Sequence, residues 1–191
     1  MIVAAGTNSG IYKFLLVLHI LCAIIGFGAV YLNALYGQQI RKRRGSEGIA
    51  IYEANFFVTG VGQYFIYAVF VLGILLVLTS DDAWKFDQTW VWLAMAFYLI
   101  ALGVSHGILL PAVRRMGVLM KELAAAGPPP GAGAGGPPAG GPPPGGPSSS
   151  TGPPPQVAEL GTLGQRVGVT GAFLDIMVIV ILALMVWKPG A

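Results

Sequence analysis

The chain is poor in charge. Only 10% of its 191 residues are Asp, Glu, Lys or Arg, against 55% that are hydrophobic. Soluble domains carry roughly 25% charged residues, so a water-facing surface of ordinary composition cannot be assembled from this sequence. Cysteine is nearly absent too. Cys22 stands alone, so no intramolecular disulfide forms and the redox compartment is not readable. The motifs of soluble catalysis are missing: there is no phosphate-binding glycine loop, paired CxxC, metalloprotease helix motif or nucleophile elbow. The first ten residues hold no Lys or Arg. A secretory signal begins with a basic stretch, so the first apolar run is read as a retained helix.

What is present is long apolar runs. Four of them, Ile11–Tyr36, Phe56–Thr79, Thr89–Leu110 and Val167–Trp187, reach the roughly 20 helical residues that cross a bilayer core. Backbone polar groups in lipid must be satisfied within the segment, so each run is expected to be helical. The expected fold is all-α, a four-helix transmembrane bundle. Eight of the eleven basic residues fall beside one set of helix ends: Arg41, Lys42, Arg43, Arg44, Arg114, Arg115, Lys121 and Arg166. The positive-inside rule places that side in the cytoplasm, giving an N-out, C-out protein of the bacterial inner membrane. Arg41–Arg44, Arg114 and Arg115 are then topology determinants touching lipid headgroups, with no nucleic-acid role. Trp84, Trp90, Trp92 and Trp187 fall at the expected outer interface.

The sequence divides into residues 1–126 with three spans, 127–155, and 156–191 with the fourth span. In 127–155, 22 of 29 residues are Pro or Gly. Neither sustains a helix interior, so this stretch is expected to be a disordered cytoplasmic linker. Pro111–Ala126 looks amphipathic, with Met116, Leu119, Met120 and Leu123 at helical spacing. An interfacial helix and a solvated extension both fit it. Residues 45–55 are expected to form a short interfacial turn.

Polar residues inside the runs are few. Asp175 lies about 12 Å into the fourth run, where a carboxylate normally turns inward and finds a partner. His106 lies about 6 Å from the inner end of the third run. It sits between Gly103 and Gly107, a small-xxx-small pattern that permits close helix packing. With Asn33, Gln63 and Ser105, and with Tyr67 at similar depth, these residues are expected to gather in the cytoplasmic half as a polar intramembrane cluster. The candidate uses of that cluster are a proton or ion path through Asp175 and His106, and structural hydrogen bonding. His19 and Cys22, one helical turn apart nearer the outer face, are candidate haem or copper ligands, and two ligands fall short of a site. Paired haem ligation by His19 and His106 is disfavoured, because their expected depths differ by about 14 Å.

Three segments carry a family likeness: KFLLVLHILCAIIG (Lys13–Gly26), HGILLPAVRR (His106–Arg115) and LMVWKPG (Leu184–Gly190). They resemble the bacterial predicted integral membrane proteins called domain of unknown function 2269. That family has no established activity. It is distantly similar to copper-resistance D-type proteins and to the HemJ type of protoporphyrinogen oxidase, in which a helix-one histidine is a haem-ligand candidate. The resemblance implies haem b or copper at His19 and carries no second ligand. The leading expectation is a non-enzymatic accessory or scaffold subunit of a membrane assembly, with the bilayer, other membrane proteins or further copies of itself as partners. A haem or copper redox protein using His19 and a small oligomeric transporter using Asp175 and His106 are the alternatives.

Overall fold

The computed structural model describes residues 6–43, 45–126 and 155–190. Its elements are α1 (Gly10–Lys42), α2 (Ser46–Leu78), α3 (Thr89–Val104), a π-helical turn (Ser105–Leu109), α4 (Leu110–Ala125) and α5 (Pro155–Trp187). Among the described residues every regular element is helical. Because α3, the π turn and α4 run on without a break, there are four long rods, and all four are long and apolar enough to cross a membrane. Arg44 and residues 127–154 of the expected linker lie outside the described residues.

Local chemistry sets the helix ends. The Ser9 side chain accepts a hydrogen bond from the Tyr12 backbone N–H, capping α1. Gly45 takes φ +70° between α1 and α2, and a Cβ on Gly48 would overlap the Arg43 carbonyl. Glycine at these two positions therefore allows the short α1–α2 connection. The turn between α2 and α3 places Asp81 and Asp82 at positive φ, which Asp tolerates better than most residues. Ser80 is buried there, and its hydroxyl oxygen accepts from the Trp84 backbone N–H at 3.0 Å.

Neighbours follow the ring α1, α2, α3 with α4, then α5, which meets α1 again. Within lipid, apolar burial drives no association, so close approach relies on small residues. The α1–α2 seam uses Gly26, Ala29 and Gly62: a Cβ on Gly26 would come 2.9 Å from Ile66, and one on Gly62 would come 2.6 Å from Ala29. Farther from the basic end, Tyr98 of α3 stacks on Phe70 of α2 at 4.9 Å and donates to the Ile66 carbonyl. Ala94, Tyr98 and Ile181 form the buried centre of that layer.

Each 33-residue rod is about 50 Å long, some 20 Å more than the hydrocarbon core. The helical residues beyond the apolar runs, 37–42, 46–55, 111–125 and 155–166, lie at the basic end and are here termed the stalk. Residues 46–55 are the first turns of α2 rather than a short interfacial turn. Pro155 opens α5, where its missing N–H and fixed φ are tolerated. The apolar stripe of α4 turns toward the chain itself: Ala112 and Leu119 are buried and Met116, Met120 and Leu123 half-buried. This favours the extension reading over an interfacial helix. Lys121 pairs with Glu53 at 2.8 Å, Arg115 makes a two-point contact with Glu159 at 2.9 and 3.2 Å, and Tyr52 donates to the Val113 carbonyl. The hydrogen bond from Arg115 holds the Glu159 carboxyl below its ordinary pKa, and the bond to Glu53 raises that of Lys121.

At the opposite end the tryptophans divide. Trp92 and Trp187 are exposed, as an interface belt requires. Trp90 is buried, and Trp84 donates to the Tyr12 hydroxyl at 2.9 Å while Lys188 lies 3.9 Å above its ring. These two rings close the end of the bundle rather than face lipid.

Candidate functional site

Pro111 shapes the π turn. It has no N–H for the Gly107 carbonyl four residues back, and in a regular helix its ring would strike that carbonyl. Widening the preceding turn by one residue relieves the clash, and the widened turn is Ser105–Leu109. Single π turns of this kind recur at functional sites.

His106 sits in this turn, and its ring reaches across to α2. Nδ1 lies 2.9 Å from the Leu102 carbonyl, which can only accept, so Nδ1 carries the proton. Nε2 is then an acceptor in the neutral ring. It lies 2.7 Å from the Tyr67 hydroxyl and 2.9 Å from Gln63 Nε2. Gln63 Nε2 is also 3.0 Å from the Tyr67 oxygen. One directional arrangement satisfies these groups: Gln63 donates to Tyr67, Tyr67 donates to His106, and His106 donates to Leu102. The Tyr67 and His106 rings lie roughly parallel, 6.0 Å apart.

This triad is on the outside of the bundle. His106 and Tyr67 are exposed, and so are Gly103 and Gly107, which flank His106 on the same helical face. Nothing comes within 4 Å of a Cβ built on either glycine. Among the described residues no helix packs closely on Gly103 and Gly107, and the close approach within the bundle is made at Gly26 and Gly62. The reason is rotation, since α3 presents Ala94 and Tyr98 to its neighbours and the glycine face points away. Leu99 and Ile100 continue the exposed surface.

The residues of the expected cluster do not form one network. Asn33 Oδ1 lies 2.8 Å from the Thr59 hydroxyl, joining α1 to α2. Gln63 and His106 meet as described. Ser105 and Asp175 are half-buried and make no side-chain hydrogen bond among the described residues. The geometry of α2 explains the split. Gly62 and Ile66 face α1, and Gln63 and Tyr67, one residue on, are turned by about 100° toward the π turn. Tyr67 joins Gln63 and His106 as its depth suggested, and Thr59 is the contributor that sequence reasoning missed. Tyr67, four residues after Gln63, carried a readable signal; Thr59 carried none beyond its hydroxyl.

His19 packs against Gly73 of α2, whose added Cβ would lie 3.4 Å from the imidazole Cε1. The Val69 backbone is a polar neighbour, yet His19 Nδ1 is buried with no well-formed hydrogen bond. That orphaned nitrogen is what a metal ligand would offer. The remaining donors do not fit. Cys22 is the one further ligand type nearby on α1, and no group of three or more His, Cys, Asp or Glu among the described residues could hold a metal ion. His19 meets α2 at Gly73 and His106 meets it at Gln63 and Tyr67, six to ten residues away, or about 9–15 Å along the axis. The two histidines do not share a ligand.

Comparison with protein-family models, with curated proteins and with solved structures finds no match to this chain.

Proposed function

We propose that the protein is a multi-pass membrane protein acting as a non-enzymatic accessory subunit, and that it docks another membrane helix on the Gly103–His106–Gly107 face. One observation carries this reading: a hydrogen-bonded polar triad stands on the outer surface of an apolar bundle between two glycines with open space before them. Lipid gives such a surface no polar partner. A helix backbone fits closely against small residues, and its polar groups can bond across the contact. The helix is supplied by another membrane protein or by a second copy of this chain. The positive-inside rule orients the stalk to the cytoplasm and both termini outside, as in a bacterial inner-membrane protein.

The test is size in native lipid. Extracted into polymer-bounded nanodiscs, the wild-type chain is expected in a particle containing at least one more polypeptide. Gly103→Leu with Gly107→Leu should release it as a monomer of unchanged helix content. A wild-type chain that is already monomeric in native nanodiscs would overturn the reading.

A further inference from the structure

Between α2 and α4 lies an open groove of about 710 Å³. Small-molecule sites span roughly 300–1,000 Å³. Its walls are mainly aromatic and aliphatic: Phe56, Phe57, Val61 and Tyr64 from α2, and Val118 from α4. Two glycines open it. A Cβ on Gly117 would overlap the Tyr52 ring, so Gly117 lets Tyr52 lie flat at the stalk end, stacked on Phe56. Gly60 lines the groove and has nothing within 4 Å of its Cβ position, so the space above it is part of the groove.

The charged groups lining it are Arg114, Lys121 and Glu53. Lys121 is already held by Glu53. Arg115, the next residue along from Arg114, is held by Glu159. Arg114 makes no ion pair among the described residues, so the groove carries one uncommitted cation beside an apolar trough.

We propose that the α2–α4 groove binds one anionic phospholipid, its phosphodiester at Arg114 and one acyl chain along Phe56, Phe57, Gly60 and Tyr64. A cation at the headgroup level selects negative charge, and a trough open to the bilayer admits a chain sideways without passage through water. The proposal requires the chain to lie in a bilayer and does not depend on the docking face described above.

Native mass spectrometry of the detergent-purified full chain tests it, with phosphatidylglycerol and phosphatidylcholine of identical acyl chains as probes. Wild type should retain phosphatidylglycerol about fivefold better, the preference one basic residue at a surface confers. Arg114→Gln should bring the ratio to about one while chain binding persists. Gly60→Leu fills the trough without touching a neighbour and should reduce retention of both lipids. The proposal is overturned by equal retention of the two lipids by wild type, by undiminished retention in Gly60→Leu, or by complete release of the lipid with inorganic phosphate, which would mark a plain anion site. Failure of the membrane reading itself is separable: such a chain would leave membranes in alkaline carbonate, whereas failure of the groove leaves it embedded.

Discussion

Tyr67 and His106 meet at 2.7 Å on the outer face of the bundle, one from α2 and the other from a π turn. The contact ties two rods together where no further helix among the described residues covers it. Removing the imidazole should loosen that tie and little else. His106→Ala is expected to lower stability by about 0.6–1.7 kcal/mol, the range for interhelical hydrogen bonds in lipid. Tyr67→Phe should lose a similar amount, and the double variant should lose less than the sum because the two side chains share one network. Reversible unfolding in mixed detergent micelles measures all three.

The glycines divide by what a side chain would meet. Gly62→Leu should separate α1 from α2, because a single Cβ there already lies 2.6 Å from Ala29. Gly28→Leu should leave the pair intact, since nothing stands within 4 Å of that position. Disulfide trapping between cysteines at positions 33 and 59, where Asn33 and Thr59 now touch, distinguishes them: trapping should fail only in Gly62→Leu.

The proposed topology places the stalk in water, where apolar burial counts in the ordinary way. Leu119 is completely buried and its neighbour Val118 is exposed. Leu119→Ala is expected to destabilise by about 2–5 kcal/mol, and Val118→Ala by under about 0.5 kcal/mol. Protease accessibility of α4 reads the difference.

Stalk ion pairs set a pH window. Glu159 has its pKa lowered in the folded chain, so its contribution is present above the ordinary value of 4.5 and fades as pH falls through the lowered one. Lys121 has its pKa raised, so its contribution is present below 10.5 and fades as pH rises through the raised value. Spin labels at positions 118 and 162 should give one narrow distance near neutrality and broader distributions at both extremes. A distance unchanged in acid would show that Arg115 and Glu159 contribute no order.

The four rods were legible because apolar length is a strong signal: Ile11–Tyr36 and Val167–Trp187 sit inside α1 and α5. Their extension at the basic end was not. Residues 46–55 and 155–166 carry too few apolar side chains to announce a helix, and their order comes from contacts such as Glu53–Lys121 and Glu159–Arg115. Depth placed Gln63 near His106, but depth says nothing about rotation. That is why depth alone groups Asn33 and Asp175 with them, and why the Gly103–Gly107 spacing does not say which neighbour the glycines meet. Asp175 is half-buried and makes no side-chain hydrogen bond among the described residues. Asp175→Asn should leave helix content and particle size unchanged, and an effect on ion flux in liposomes would favour the transport alternative.

The most direct test of the docking face is photo-crosslinking in native membranes. A photoreactive residue at Gly107 is expected to give a polypeptide adduct, while one at Ile179, exposed on α5, gives none. Equal yields at the two positions, or no polypeptide adduct at Gly107, would contradict the account.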